Sequence, residues 1–277
     1  MKKIIVPIDF SNYSEAALKV AAQIAKQNNS ELILLHLLDI SEQLVSNSAS
    51  AKQQELMFFM QLAKKRFEEF VSKDYLSDIH TTPVIKHFRV FEEIINTAKE
   101  LEADLIVMGS RGASGVKGFL LGSNTEKVVR TSEIPVLVIK SEIKSFNPKT
   151  IVFASDFKEE NLESYYKTVE FARFFNAELK LIYINIPTLN FKSTIEIREQ
   201  MRAFLSAAKI PYNSENICIY SDYEIENGII NAAHDLRADI IVIPTHGRKG
   251  FRKLLSGSIG EEVANISDIP VLTLKIT

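Results

Sequence analysis

The sequence predicts an α/β fold in which two similar domains follow one another along the chain. Three observations predict it. Short apolar runs alternate with longer amphipathic stretches, which is typical of strands joined by helices into parallel sheets. The segment 104–140, an apolar run, a glycine loop, a short helix and a second apolar run, recurs at 239–275. The chain has 277 residues, enough for two cores of ordinary size.

Composition excludes several classes of protein. The chain is 46% hydrophobic and 25% charged, with a net charge of -2, which gives no electrostatic case for nucleic acid or an anionic membrane. The single cysteine, Cys218, excludes an intramolecular disulfide and a multi-cysteine metal site, and its apolar surroundings indicate a buried, inert thiol. No apolar stretch approaches the ~18 residues of a membrane span, and the N-terminal run ends at Pro7. We expect a cytoplasmic protein.

The first domain is predicted to contain five strands. Each apolar run is too short for a helix and suits a strand covered on both faces. Between the runs, apolar residues recur at helical spacing, and Ser11 or Asn12 can cap the first helix. The predicted strands are Lys3–Ile8, Glu31–Leu38, 83–88, 105–108 and Val136–Ile139, and the predicted helices follow residue 11, span 51–73 and 91–101, and begin near 122.

The second domain is predicted to be a copy of the first. Asn29 matches Asn176, 147 positions later, and Asp9 matches Asp156 at the same offset. From residue 94 onward the offset is 135, so that Pro135 matches Pro270 and the second copy is twelve residues shorter. This is an internal duplication with a polar linker at 141–149. We call 1–140 the first repeat and 150–277 the second repeat.

The glycine loop is the candidate binding feature. Gly109 and Gly112 permit positive φ and let a ligand approach the backbone. Gly122-Ser123 opens a helix, where free N–H groups favour an anion such as phosphate. Turn glycines and ordinary helix caps are the alternative, since Ser123-x-x-Glu126 and Ser258-x-x-Glu261 both fit a capping box. Both glycine pairs together, between two buried strands, favour a phosphate site.

The pattern Gly109-x2-Gly112-x9-Gly122-Ser123 resembles the nucleotide-binding signature of the universal stress proteins. The opening IIVPIDFS and the ending IPVLVIK of the first repeat are similar to that family too, and the resemblance covers nearly the whole chain. It implies Rossmann-like domains with the strand order 3-2-1-4-5 and a ligand crevice where strands one and four diverge. Family members that carry the signature bind ATP, and relatives without it do not bind nucleotide.

The resemblance also implies which residues form the ATP site. Pro7 and Ile8 would meet adenine, together with His36 and Leu37 at the end of strand two. Asp9 would meet the ribose or a Mg²⁺ ion, and the glycine-loop residues would meet the ribose and the phosphates. The residues are Pro7, Ile8, Asp9, His36, Leu37, Met108, Gly109, Arg111, Gly112, Gly122, Ser123 and Asn124. Alternatives stay open: Asp9 can cap the next helix, His36 can be a packed strand residue, and Arg111 and Lys117 can be solvated cations.

A second, weaker site is expected in the second repeat. It would comprise Ser155, Asp156, Ile184, Thr245, His246, Gly247, Gly257, Ser258 and Ile259. Pro244 replaces the first glycine of the signature there, and proline has a fixed negative φ and no N–H. If that position needs positive φ or donates to the ligand, the loop must take another path. The second loop is also more basic than the first.

Three functions are compatible with the sequence. The leading hypothesis is a regulatory ATP-binding protein of the stress response, because the chain lacks a Walker sequence and a G-x-G-x-x-G fingerprint, and no catalytic residues surround the loop. The second is an enzyme that hydrolyses ATP slowly or handles adenylate. The third is an interaction scaffold that binds no nucleotide.

The two repeats are expected to pair within the chain. Strand five of each repeat, Val136–Ile139 and 271–274, is apolar and lies at a sheet edge in the implied order, and proteins usually cover such edges. The family resemblance implies that the two edges pair antiparallel as a pseudo-twofold dimer. A further homodimer and an unidentified protein partner are left open.

Overall fold

The structure is a computed structural model, and it describes residues 1–38, 49–87, 90–112, 121–188, 191–246 and 259–276. Within these ranges the chain forms ten strands and eight α-helices around one continuous sheet. The strands are parallel within each repeat. This confirms the predicted α/β fold.

The first repeat contains the predicted elements in the predicted order. Its strands are β1 (Lys3–Ile8), β2 (Glu31–Leu38), β3 (Thr81–His87), β4 (Leu105–Gly109) and β5 (Val136–Ile139). Its helices are α1 (Asn12–Asn28), α2 (Ala49–Val71), α3 (Val90–Glu100) and α4 (Ser123–Thr131). β3 begins two residues earlier than predicted because it pairs with β2 from Thr81 onward, and Pro83 is tolerated because β3 lies at the sheet edge. Residue 88 lies outside the described ranges.

The second repeat follows the same plan. Its strands are β6 (Thr150–Ala154), β7 (Glu178–Asn185), β8 (Ile217–Ser221), β9 (Ile240–His246) and β10 (Val271–Ile276). Its helices are α5 (Leu162–Phe175), α6 (Thr194–Ala208), α7 (Ile225–Asp235) and α8 (Ile259–Ile266). Cys218 is half-buried on β8, and burial raises the pKa of its thiol.

The strand order confirms both the implied topology and the pairing of the repeats. The order across the sheet is β3-β2-β1-β4-β5-β10-β9-β6-β7-β8, which is 3-2-1-4-5 in each repeat, joined at the fifth strands. β5 and β10 pair antiparallel, with Leu137 opposite Leu272. Each apolar edge therefore covers the other, as predicted.

Unusual backbone conformations recur at equivalent positions of the two repeats. Six non-glycine residues with positive φ form three pairs at the two offsets found in the sequence: Phe10 with Phe157, Asn29 with Asn176, and Glu102 with Arg237. Asn29 and Asn176 end α1 and α5 in the left-handed conformation that closes many helices. The duplication therefore extends from sequence to individual turns.

Three apolar clusters cover the two faces of the sheet. One large cluster, which includes Val107 and Phe153, lies beneath α1, α2, α5 and α6 and joins both repeats. On the opposite face, one cluster lies beneath α3 and α4 and another beneath α7 and α8. Alternate residues of each central strand enter opposite clusters, as Ile4 and Ile5 do, which explains why these strands are apolar throughout.

Candidate functional site

A cavity in the first repeat lies at the carboxyl ends of β1 and β4, between those strands and the start of α4. This is the switch point where the strand order reverses, the usual place for a ligand in an open α/β sheet. Eleven of the twelve predicted residues line it: Pro7, Ile8, Asp9, Leu37, Met108, Gly109, Arg111, Gly112, Gly122, Ser123 and Asn124. Residues more than one hundred positions apart in the chain thus meet in one cavity.

Asp9 supports the first turn of α1 without capping the helix itself. Its Oδ1 atom accepts hydrogen bonds from the Ser11 backbone N–H, at 3.0 Å, and from the Ser11 hydroxyl, at 2.6 Å. Ser11 is the N-cap, because its side chain accepts from the Ser14 N–H. Asp9 thereby orients the capping hydroxyl, while its Oδ2 atom lies close to Gly112.

Gly109 and Gly112 are required by close packing, and neither has the positive φ that the sequence suggested. A Cβ at Gly109 would lie 2.6 Å from the Tyr13 carbonyl oxygen, and a Cβ at Gly112 would lie 2.9 Å from Asp9 Oδ2. Gly109 is the last residue of β4 and pairs with Ile139, so its backbone is extended. The glycines therefore let α1 and Asp9 approach the loop.

α4 begins differently from the predicted capping box. Gly122 is the N-cap, with φ -63° and ψ 142°, and no side chain caps the helix. Ser123 falls one position later, inside the first turn, so its hydroxyl cannot take the N-cap role, and it is exposed. The first backbone N–H groups of a helix have no partner within the helix, and the first residues of α4, Ser123, Asn124 and Thr125, line the cavity. Ser258 lies outside the described residues.

Arg111 is held at the cavity by an aromatic side chain. Its guanidinium donates to the Tyr13 hydroxyl at 3.2 Å and lies 5.6 Å from the centre of the Tyr13 ring. The predicted alternative of a merely solvated cation does not describe it. Lys117 lies outside the described ranges.

The His36 side chain points away from the cavity, in agreement with the alternative that it is a packed strand residue. Its Nδ1 atom lies 2.7 Å from the Ile8 carbonyl oxygen, and its ring lies 4.5 Å from Phe10 and 6.2 Å from Phe67. Burial lowers the pKa of His36, which favours the neutral ring. The physical reason is strand alternation: Leu35 and Leu37 face the cavity, so His36 must face the other side.

Four residues of the cavity wall were not predicted: Ser14, Leu35, Ile94 and Thr125. Leu35 follows from the alternation that also places Leu37 there. Thr125 is in the first turn of α4, and its hydroxyl donates to the Gly109 carbonyl at 2.9 Å. Ile94 comes from the apolar face of α3, which the sequence pattern located without indicating that it reached the site.

The cavity is narrow in this conformation. Its volume is about 110 Å³, below the ~300–1,000 Å³ of pockets that hold small molecules. The backbone of Arg111 and Gly112 lies close against Gly122, where an added Cβ would be 3.4 Å from both the Arg111 Cα and the Gly112 nitrogen. The close approach of these two segments narrows the cavity at the start of α4.

A larger cavity of about 520 Å³ occupies the equivalent place in the second repeat. Of the predicted second-site residues, Ser155, Asp156, Ile184 and Ile259 line it. Thr245 is buried and its hydroxyl donates to the Leu274 carbonyl, so it does not line the cavity. His246 ends β9, and Gly247, Gly257 and Ser258 lie outside the described ranges.

The comparison of sequences identifies the family. The model of the universal stress protein family matches residues 1–140 and again residues 147–275. The chain belongs to the universal stress protein family. Two matches in succession also account for the ten-stranded sheet, because each repeat contributes the five strands of one family unit.

Some universal stress proteins align with about half of this chain, and others align with nearly all of it. Universal stress proteins MJ0531 and MJ0577 of Methanocaldococcus jannaschii are 33% and 34% identical to it. These alignments cover 52% and 50% of this chain, and 84% and 94% of the relatives. The crystal structure of a universal stress protein from Archaeoglobus fulgidus has a TM-score of 0.73 at 24% identity, and covers 99% of this chain and 98% of that chain. That likeness shows the fold.

The two cavities of this universal stress protein differ in polarity. In the second repeat Pro244 replaces Gly109, and Ile259 replaces Asn124. Pro244 lies within β9 and pairs with Leu274, so the proline changes no turn and removes only an N–H. The Asp156 carboxylate accepts from Lys158 at 2.6 Å and from Asn161 at 2.8 Å, whereas Asp9 accepts from Ser11. At positions 244 and 259 the second cavity therefore has a residue without an N–H and an apolar side chain, where the first has a glycine and an amide.

Neither a membrane helix nor a metal cluster is found in the described structure. Within those ranges, no helix is long and apolar enough to span a bilayer. The same residues contain no group of three or more histidine, cysteine, aspartate or glutamate side chains placed to hold a metal ion.

Proposed function

We propose that this universal stress protein is a regulatory module that binds ATP in the first repeat. The observation that supports the proposal is the convergence of the signature residues on one cavity at the switch point of the first sheet. Asp9, Arg111, and the pair Gly122 and Asn124 come from three separate parts of the repeat and line it. Residues that only stabilised the fold would not need to bring a carboxylate, a guanidinium and unpaired helix N–H groups to the same place.

The cavity offers a different surface to each part of ATP. Pro7, Ile8, Leu35 and Leu37 form an apolar wall for adenine. Asp9 lies at the middle, where a carboxylate can accept from ribose hydroxyls. Because Mg²⁺ prefers oxygen ligands and usually binds together with substrate phosphates, we propose that it enters with ATP and faces this carboxylate.

The phosphates would lie at the start of α4. The N–H groups of Ser123 and Asn124 and the positive end of the helix dipole favour negative charge there. Arg111 can add Coulomb attraction if its guanidinium leaves Tyr13. Glu126 in the first turn opposes this attraction, but its side chain is about half exposed and therefore well screened.

Binding requires the cavity to open on one side. α4 is tied to β4 by the Thr125–Gly109 bond and by the Gly122 N–H, which donates to the Ser110 carbonyl at 2.8 Å. The backbone of Arg111 and Gly112 must therefore move away from Gly122. We propose that this movement is the signal that ATP binding produces.

Calorimetry with ATP tests the proposed site. Gly122 has an ordinary backbone conformation, and a Cβ there makes tight but tolerable contacts, so Gly122→Val should fold. The added side chain would obstruct the phosphates, and we expect ATP affinity to fall by more than about tenfold. Gly257→Val, at the matching position of the second repeat, is the control and should retain the strong site. Unchanged affinity in a folded Gly122→Val protein would refute the assignment.

The second repeat is the alternative location for the nucleotide. Its cavity of about 520 Å³ already has a volume in the range of small-molecule pockets. Against this, the Asp156 carboxylate is paired with a lysine, and Ile259 takes the place of a polar residue at the helix start. Loss of binding in Gly257→Val alone would move the proposed site to the second repeat.

A further inference from the structure

The segment that leads into α4 is held by the opposite repeat. The Leu121 N–H donates a hydrogen bond of 2.6 Å to the side-chain oxygen of Asn265, in the last turn of α8. The Leu121 side chain packs against the apolar clusters of both repeats. The residue directly before Gly122 is therefore anchored in both halves of the molecule.

Asn265 is itself fixed to the first repeat. The Lys140 ammonium, just after β5, donates to the carbonyl oxygens of Ala264 and Asn265 at the end of α8. A cation at that end of a helix also interacts favourably with the helix dipole. At the other end of α8, Glu261 pairs with Arg130 of α4 at 3.5 Å. These contacts align the Asn265 side chain with Leu121.

The contact cannot be mirrored in the second repeat. The residue that corresponds to Asn265 in α4 is Arg130, at the offset of 135. An arginine side chain has no hydrogen-bond acceptor, so it cannot receive the N–H of residue 256, which corresponds to Leu121. Of the two equivalent positions, only residue 265 therefore carries a side-chain acceptor.

We propose that Asn265 is a positioning residue for the phosphate end of the ATP site, supplied to the first repeat by the second. This inference rests on the proposed function. Three hydrogen bonds fix the start of α4, and those to Ser110 and Gly109 come from the first repeat itself. The bond to Asn265 comes from α8. It holds the backbone so that the N–H groups after Gly122 are oriented before the phosphates arrive.

Preorganisation of this kind increases affinity because less order has to be created when the ligand binds. Without Asn265, the Leu121 N–H loses its acceptor and the entry to α4 loses its link to the second repeat. The adenine wall is formed by β1 and β2, which β4 and β5 separate from the second repeat in the sheet. Asn265 should therefore affect ligands that carry phosphates and leave adenosine unaffected.

Calorimetry of full-length protein with ATP and with adenosine tests the inference. We expect Asn265→Ala to weaken ATP binding roughly three- to tenfold, the effect of losing about one hydrogen bond. Adenosine affinity should remain within about twofold of the wild-type value. Glu262→Gln, an exposed change on the same helix, is the control and should alter neither affinity.

The wild-type protein offers a second readout that needs no variant. Because coupling is reciprocal, ATP should slow hydrogen exchange at the Leu121 amide, and adenosine should not. Equal losses for ATP and adenosine in Asn265→Ala, or ATP binding unchanged in that variant, would overturn the inference and leave the ATP site intact. Failure of the wild-type protein to bind ATP would overturn both.

Discussion

The Thr125 hydroxyl and the Gly109 carbonyl are joined by a buried hydrogen bond of 2.9 Å. It connects the first turn of α4 to the last residue of β4, the two elements that carry the candidate site. Thr125 is 4% exposed, so water cannot readily replace the bond. The position of the helix start relative to the strand therefore depends on this contact as well as on apolar packing.

Replacement of Thr125 by valine should destabilise the protein by about 1–2 kcal/mol, because the shape is kept while the buried carbonyl loses its donor. Urea denaturation of the two proteins measures this difference. Thr125→Ser, which retains the hydroxyl, should recover much of the lost stability, although it also removes a buried methyl group. If serine and valine were equally destabilising, the loss would come from packing and not from the hydrogen bond.

His36 should make stability depend on pH in the mildly acidic range. Burial lowers the pKa of the ring from its ordinary 6.5. The unfolded chain then takes up a proton at a higher pH than the folded protein does, so stability is complete above pH 6.5 and is lost as the pH falls through the folded pKa. Phe10 and Phe67 pack against the ring, and of the charges nearby Asp9 raises its pKa while Arg66 lowers it.

The comparison protein for this measurement is His36→Gln, whose neutral amide can still donate to the Ile8 carbonyl. Free energies of unfolding should be measured for both proteins between pH 7.5 and pH 5. We expect the wild type to lose more stability than the variant over that interval. A constant difference between the two curves would mean that His36 titrates alike in the folded and unfolded chains.

Much of the fold could be predicted from sequence because each signal was local and occurred twice. Apolar runs located the strands, and the two offsets located the second repeat. Helix and strand ends were less predictable, since Thr81 joins β3 through its pairing with β2 and not through its own apolar character. Gly122 likewise takes the N-cap position that the pattern Ser123-x-x-Glu126 suggested for the serine.

The candidate site was predictable where a motif or the family resemblance named its residues. The glycine signature indicated the loop and the start of α4, and the family resemblance implied Pro7 and Asp9. The side of the sheet that His36 faces required the register of β2, and the reason for Gly109 required the distance to Tyr13. The bond between Leu121 and Asn265 spans 144 positions and two repeats, and no local pattern indicates it.

Lys140 should make stability depend on pH in the alkaline range, with the same sign as His36, because the folded pKa of each base is lowered. Partial burial and the nearby Arg111 guanidinium lower the pKa of its ammonium from 10.5 to about 8. Below pH 8 the group is protonated in both the folded and the unfolded chain. Desolvation of the charged ammonium then lowers the free energy of unfolding by its full amount. Between pH 8 and 10.5 the unfolded chain binds more protons than the folded one, and stability from this group rises with pH.

Lys140→Met retains the length of the side chain and removes the titration, so it serves as the reference for this measurement. Other lysines and tyrosines titrate in the same range, and therefore only the difference between the two proteins is informative. We expect the free energy of unfolding of the wild type, relative to that of the variant, to increase from pH 8 to pH 10. A decrease would mean that the bonds from the ammonium to Ala264 and Asn265 outweigh its desolvation, and that the folded pKa lies above 10.5.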